Sequence, residues 1–384
     1  MHIRNRLDTL LKKFEKRFTP LNRIEIIEDN VLYNYDFFSR LTRGYVWPVL
    51  KANAYGHGLK EIATILQKRR PQYFVVDSYF EALKVWDVAP HQNVLLLAVT
   101  NPVNFKNMNF KKCAMVVYSI ETIRALGALE RPVRVHLKIN TGMNRQGIEP
   151  AELDTYIREI KRHAHLELEG VCTHFADADG ENDAFTNAQQ KLFSDVLDTL
   201  EQKNIKPRFA HSAATNGSPK IHDPRCNAMR LGIGLYGFHT LQQLDPARHV
   251  VAELKPALRF VSTIIKTREV GVGDVVGYNC TFKADKPMRI GLLPVGYYEV
   301  YDRRLSNKGF VRFKNHGLPI IGRISMNLTT VDLEDSDAQV WDEVEIISPC
   351  LKDKNSIPEM AALAGTIPYE LLTSISETVR RVVV

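Results

Sequence analysis

Hydrophobic residues fall along this chain in two alternating patterns. Short continuous apolar runs read as strands buried on both faces, and stretches with apolar residues every third or fourth position read as helices packed by one side. The runs are Val46–Lys51, Tyr73–Asp77, Asn93–Ala98, Cys113–Tyr118, Val133–Ile139, Leu168–Phe175, Arg208–Ser212 and Arg230–Tyr236. Helical spacing lies between several of them, over Leu59–Lys68, Tyr79–Val88, Glu121–Leu126, Glu152–His163 and Asn187–Lys203. Buried strands alternating with helices predict a parallel sheet, and eight such strands predict a (β/α)8 barrel of the TIM type, although an open α/β sheet has a similar pattern.

Near Leu254 the rhythm changes. Phe260–Val270, Met288–Val295, Phe310–Phe313, Ile320–Met326, Thr329–Leu333 and Glu343–Ile347 read as strands joined by glycine turns, with helical spacing only at Pro358–Ala364 and Tyr369–Val379. This predicts a mostly antiparallel β-domain. The expected organisation is therefore an extension over residues 1–23, a barrel over 24–254 and a β-domain over 255–384. A length of 384 residues suits such a pair, and 45% hydrophobic with 25% charged residues is a globular composition.

The net charge of +7 is unevenly placed. Residues 1–23 carry seven basic and two acidic side chains, a net +5, which leaves an almost neutral body and argues against nucleic-acid binding. Within that extension Ile3, Leu7, Leu10, Leu11, Phe14 and Phe18 fall at helical spacing between Lys and Arg. They predict an amphipathic helix, docked on the protein or a partner subunit, or serving as a surface anchor. No apolar stretch is long enough for a transmembrane helix. Five scattered cysteines without a CxxC pair suggest reduced thiols and a cytoplasmic protein.

In a barrel, chemistry sits where strands end on the C-terminal face. Lys51 closes the apolar run Val46–Leu50. It is a candidate amine nucleophile toward an aldehyde, or a strand-end lysine reaching solvent. The glycines of Arg230-Leu-Gly-Ile-Gly-Leu-Tyr-Gly237 let backbone amides approach a phosphate, or simply permit close packing. His57, His174 and His211 also fall at strand ends. No carboxylate or thiol recurs with them at ligand spacing, so no metal site is expected.

Together these segments carry a resemblance. Val49-Leu-Lys-Ala-Asn-Ala-Tyr-Gly-His-Gly58 resembles the cofactor-lysine segment of alanine racemases. Lys138-Ile-Asn-Thr-Gly-Met-Asn-Arg-Gln-Gly-Ile148, Thr173-His-Phe-Ala176, Met229-Arg-Leu-Gly-Ile-Gly-Leu-Tyr-Gly237, Val276-Gly-Tyr278, Pro294-Val-Gly-Tyr297 and Gly322-Arg-Ile-Ser-Met326 resemble further segments of that family, in order. The match runs from about Arg23 to the C-terminus. It implies a fold-type III pyridoxal 5'-phosphate (PLP) enzyme that interconverts L- and D-alanine for peptidoglycan, working as a homodimer with shared active sites on a small amino-acid substrate.

The resemblance also implies roles. Lys51 would hold PLP covalently and serve as one catalytic base. Tyr278, from the other subunit, would be the second base on the opposite face. A phenol is a weak base at neutral pH, so Tyr278 needs a cation or a hydrogen bond, for which His174 is the implied neighbour. Arg230 would face the pyridine nitrogen. Tyr55, Thr215 and the amides of Gly232 and Ile233 would hold the phosphate. Arg145 and the Met326 amide would bind the substrate carboxylate. Lys138 occupies a position that is carbamylated in some relatives. Asp179, Tyr297, Arg303 and Arg323 are the implied doorway.

Three positions depart from the family pattern. Asn327 and Asn140 stand where aspartates are usual, and Glu377 stands where some members have a phosphate-binding tyrosine. They leave open a broader amino-acid racemase on the same scaffold. A fold-type III decarboxylase is a weaker alternative, because Arg230 takes a place that a carboxylate fills there. A non-catalytic PLP-binding protein is weaker still, because such relatives are usually a lone barrel.

Overall fold

The computed structural model describes residues 19–333 and 336–384. The expected amphipathic helix over Ile3–Phe18 lies outside them. The chain forms two compact units: Ile27–Ala257, and residues 19–26 together with Leu258–Val384.

After β1 (Arg23–Ile26), which belongs to the second unit, eight parallel strands follow: β2 (Tyr45–Pro48), β3 (Phe74–Val76), β4 (Val94–Leu96), β5 (Cys113–Val117), β6 (Val133–Lys138), β7 (Leu166–Cys172), β8 (Phe209–His211) and β9 (Ala228–Leu231). β3 to β8 form one continuous parallel ladder, curled with its helices as a half-barrel, and β2 pairs with β9. Hydrogen bonds close the ring at both seams. The Leu50 amide donates to Val75 O (2.8 Å), and the Asn227 and Arg230 amides donate to Ala210 O and Ala213 O (both 3.0 Å).

Every residue of β3, β4 and β5 is buried, as strands covered on both faces require. Between them run helices such as Tyr79–Val88, whose start is set by a capping box in which Ser78 and Glu81 satisfy each other's backbone amides. The barrel interior is aromatic. Trp47 on β2 meets His136 on β6 and Phe209 and His211 on β8. β2 and β6 are not neighbours in the ring, so the Trp47–His136 contact crosses the interior.

A helix over Glu28–Leu41 was not among the expected elements. Its buried face, Val31, Tyr35 and Phe38, has helical spacing. Asn30 and Asn34 weaken the helical signal, yet Asn34 is buried for a tertiary reason: its amide donates to Leu235 O and Lys255 O and accepts from the Lys255 amide.

In the second unit a six-stranded sheet has the order β16-β15-β18-β10-β1-β19. Its strands are β10 (Leu258–Thr263), β15 (Phe310–Phe313), β16 (His316–Pro319), β18 (Glu343–Ile347) and β19 (Arg380–Val383), with β1 between β10 and β19. The ladder is antiparallel except at β1–β19. A second sheet joins β11 (Lys266–Val270), β14 (Met288–Leu293) and β17 (Thr329–Asp332), and a short hairpin pairs β12 (Val275–Val276) with β13 (Phe282–Lys283).

Two strand expectations are corrected. Phe260–Val270 is two strands broken after Thr263. Ile320–Met326 is not a strand: only Ile320 bridges to Val331. The rest curls so that Ser325 O and Met326 O accept the amides of Tyr297 and Tyr298, and the Ser325 amide returns to Leu328 O. Those loop bonds replace ladder bonds, which side-chain alternation cannot foretell.

Candidate active site

Lys51 leaves the end of β2 and enters an unusual turn. Ala52, Asn53, Ala54 and Tyr55 all have φ between 52° and 54°. Left-handed backbone costs an L-residue roughly 1–2 kcal/mol, so four in a row persist only if other bonds over-determine them. They do. The Ala54 amide donates to Leu50 O (2.8 Å), Gly56 to Ala52 O (3.1 Å) and Gly58 to Asn53 O (2.9 Å). The Leu59 amide donates to Asn53 Oδ1 (2.9 Å), and the Ala52 amide to Glu81 Oε1 (2.7 Å). The other oxygen of Glu81 accepts from Asp77 (2.8 Å) and Ser78 (3.1 Å), so one carboxylate ties the lysine turn to the loop after β3.

The turn carries Tyr55 over the glycine segment that follows β9. A Cβ on Gly232 would lie 2.9 Å from the Tyr55 hydroxyl, and one on Gly234 would lie 2.6 Å from Thr215 Cγ2. A side chain at 234 would collide with Thr215 and Phe38, and one at 232 would have to displace the Tyr55 hydroxyl. Thr215 Oγ1 accepts the Gly234 amide at 3.0 Å. Gly232 and Ile233 open a tight helical turn, where no carbonyl a turn earlier can take their amides. Tyr55, Thr215, Gly232 and Ile233 thus converge in one cradle.

Arg230 is buried, with donors spent on the backbone. Nη1 donates to His211 O (3.0 Å) and to His211 Nδ1, while Nη2 donates to Thr173 O (2.8 Å), Ser212 O (3.0 Å) and His174 Nδ1 (3.1 Å). Among the described residues no carboxylate pairs with it, and its Nε–H has no acceptor. A guanidinium only donates, so His174 Nδ1 must be bare. His174 is therefore neutral and offers Nε2–H. Burial pushes its pKa well down, and the charges of Arg230, Lys138, Arg145 and Lys51 push the same way. Any help His174 gives a tyrosine base is hydrogen bonding, not charge.

Arg145 is exposed on the loop after β6, whose ends are pinned by Asn140 N to Ile148 O (2.8 Å) and Ile148 N to Lys138 O (2.9 Å). Asn140 explains its own departure. Its oxygen accepts the Gly142 and Asn144 amides, and its nitrogen donates to Glu149 (2.7 Å), which an aspartate could not do. Lys138 Nζ donates to Gln146 (2.8 Å), and burial lowers its pKa to about 8.

Tyr278 and Met326 belong to the other unit, on loops whose backbones meet where Gly277 abuts Arg323. They are 69% and 56% exposed, respectively. Asn327 donates to Glu299 Oε1 (2.7 Å), and Glu299, itself buried, also accepts the Gly296 amide (2.8 Å). An aspartate at 327 would set two carboxylates together. Glu377 is exposed.

The barrel unit thus gathers Lys51, Tyr55, His174, Thr215, Arg230, Gly232 and Ile233, with Arg145 alongside. Sequence reasoning missed Glu81, although the Ser78-x-x-Glu81 pattern before an apolar run was a readable capping box. The residues fit PLP: an amine for its aldehyde, an open guanidinium donor for its ring nitrogen, and a glycine cradle with the Tyr55 and Thr215 hydroxyls for its phosphate.

A parallel barrel with a lysine at a strand end and this cradle, joined to a β-domain, defines a cofactor-dependent barrel enzyme. The family profile described as alanine racemase, N-terminal domain, matches residues 26–240, and that of the C-terminal domain matches 257–383. The chain belongs to the alanine racemase family, whose members are PLP-dependent isomerases acting on amino acids. It is 34% identical to an alanine racemase of Carboxydothermus hydrogenoformans over 369 residues, covering 94% of this chain and 98% of the relative. It is 32% identical to an alanine racemase of Staphylococcus carnosus, covering 92% of each. Among solved structures, an alanine racemase of Clostridium difficile 630 superposes with a TM-score of 0.88 at 28% identity, covering 96% of this chain and 97% of that one. One from Bacillus anthracis with bound L-Ala-P has a TM-score of 0.87 at 27% identity, covering 96% of each. No helix among the described residues is long and apolar enough to cross a membrane.

Proposed function

We propose that this protein interconverts L- and D-alanine by a two-base mechanism, with Lys51 and Tyr278 as the bases, and that the D-alanine supplies peptidoglycan. Bound PLP would acidify the Cα–H of the amino acid by drawing electron density into its ring. Lys51 would hold the cofactor at its aldehyde carbon, and Tyr55, Thr215 and the amides of Gly232 and Ile233 would hold its phosphate. Arg145 and the Met326 amide would fix the substrate carboxylate. Released when the substrate amine takes its place, the Lys51 amine would serve one face of Cα and the Tyr278 hydroxyl the other, so that one proton leaves and another arrives without the substrate turning over.

The observation that carries this reading is Arg230. A guanidinium with no carboxylate partner, its Nε–H open, can donate to a ring nitrogen but does not readily protonate it. Arg230 would thereby favour proton exchange at Cα over reactions that need a long-lived carbanion.

The exposure of Tyr278 and Met326 supports a homodimer in which each chain lends these residues to its partner's barrel. The five free thiols support a cytoplasmic location. The test is incubation with L-alanine in heavy water. Deuterium at Cα with appearance of D-alanine is expected, and release of carbon dioxide, or faster turnover of serine or lysine than of alanine, would overturn the assignment.

A further inference from the structure

The guanidinium of Arg230 is buried without a touching anion, so its orientation depends on the acceptors it meets. Behind it runs a file of buried side chains. His211 Nε2 lies 2.8 Å from His136 Nδ1, and His136 Nε2 lies 3.0 Å from Glu169 Oε2. His136 and His211 are fully buried and Glu169 is 2% exposed. Trp47 and Phe209 close over the imidazoles.

We propose that Glu169, itself paired with Arg134, anchors Arg230 through His211 and His136, and that this relay holds both imidazoles as neutral Nε2–H tautomers and so aims the guanidinium. The direction follows from donor chemistry. Arg230 only donates, so His211 Nδ1 is bare and its proton sits on Nε2. That proton meets His136 Nδ1, which must be bare in turn. The His136 proton therefore sits on Nε2 and meets Glu169, which must accept. The reverse arrangement would set an N–H of His211 against the guanidinium hydrogens.

The far end is built to keep the carboxylate charged. The Tyr73 hydroxyl donates to Glu169 (2.6 Å) and itself accepts from Arg134 (2.7 Å), whose guanidinium also pairs with the Glu169 carboxylate at 3.7 Å. Burial pushes Glu169 up, but the bonds from His136 and Tyr73 outweigh it and hold the carboxyl below its ordinary range. Burial pushes His136 and His211 down, which keeps both neutral. A carboxylate touching Arg230 would quench its field at the ring nitrogen. Two imidazoles away, it orders the donors while leaving that field largely intact. This role rests on the reading that Arg230 faces the ring nitrogen. Glu169 is then a positioning residue.

The test uses the full chain with its cofactor and 15N-labelled histidine, with signals assigned by their loss in His136→Gln and His211→Gln. Proton–nitrogen correlation spectra should show one protonated Nε2 and one bare Nδ1 in each ring, both above and below the ordinary imidazole pKa of about 6.5. An Nδ1–H tautomer or a doubly protonated ring in either residue would overturn the relay. Glu169→Gln can still accept from His136, so the tautomers should survive. Glu169→Leu should scramble them and lower kcat about tenfold with KM within about twofold. A Glu169→Leu enzyme with unchanged tautomers and kcat would also overturn it; should that variant fail to fold, the spectra of the unmutated protein decide. Arg230→Lys should shift the absorption of the bound cofactor. Unchanged absorption there would overturn the reading on which the relay rests, independently of the histidine spectra.

Discussion

The Glu81 carboxylate accepts a 2.7 Å hydrogen bond from the backbone amide of Ala52, the residue that follows Lys51. A side chain whose local task is to cap the helix Tyr79–Val88 thus also braces the left-handed turn that presents the lysine. Glu81→Ala leaves three backbone amides without their acceptor. Because those amides are largely exposed and can be hydrated, it is expected to lower stability by about 0.5–1.5 kcal/mol and to weaken cofactor retention, while Glu81→Gln retains an acceptor and loses less. Denaturant midpoints with and without PLP, beside equilibrium dialysis of the cofactor, measure both. Unaltered retention in Glu81→Ala would show that the turn needs no brace.

Tyr278→Phe removes one of the two proposed bases and leaves the other. Exchange of the Cα proton from L-alanine is expected to fall far more than exchange from D-alanine, because Lys51 is untouched. Single-turnover exchange in heavy water, begun from each enantiomer, separates the two. Equal losses would count against an assignment of one base to each face.

Asn327 and the buried Glu299 form a donor–acceptor pair at 2.7 Å. Asn327→Asp places two carboxylates there and is expected to lower stability at neutral pH by about 1–3 kcal/mol. Repulsion raises the folded pKa of the pair above its unfolded value. The penalty is therefore complete above the raised pKa and fades as pH falls through it. Urea unfolding of both proteins across the acid range checks the sign, and a penalty that does not vary with pH would contradict it.

Lys138, with its pKa lowered to about 8 by burial, binds its proton less tightly in the folded protein than in the unfolded chain, where lysine titrates near ~10.4. Between those values the unfolded state holds more protons, so stability from this site rises with pH across that window. Below it the burial penalty is complete. Nuclear magnetic resonance of 13C-methylated lysines should show one titration near 8 that is missing in Lys138→Met. Only ordinary lysine titrations would refute the shift.

Much of the fold was legible because the barrel strands are buried on both faces and read as continuous apolar runs. Phe310–Phe313 and Glu343–Ile347 were legible to the residue because both are bounded by turns. The helix Glu28–Leu41 escaped because the residue that anchors it, Asn34, is polar, and its value lies in carbonyls more than two hundred positions away. The loop at 321–328 escaped for the converse reason: its residues favour strands, but its backbone bonds go to Tyr297 and Tyr298.

The sequence by itself determined the alternation of strand and helix, the change to β structure near Leu254, the lysine segment and the glycine cradle. These depend on local spacing and on residue types with few alternatives. Only the tertiary structure decided that Glu81 braces the lysine turn, that Asn327 answers Glu299, and that Arg230 reaches Glu169 through two histidines. Only the last of those lies in a low-dielectric interior; the Ala52–Glu81 bond and Asn327 are exposed, yet all three join groups far apart in the chain. A buried donor must find an acceptor wherever the fold brings one, and the distance along the chain carries no trace of which one it will be.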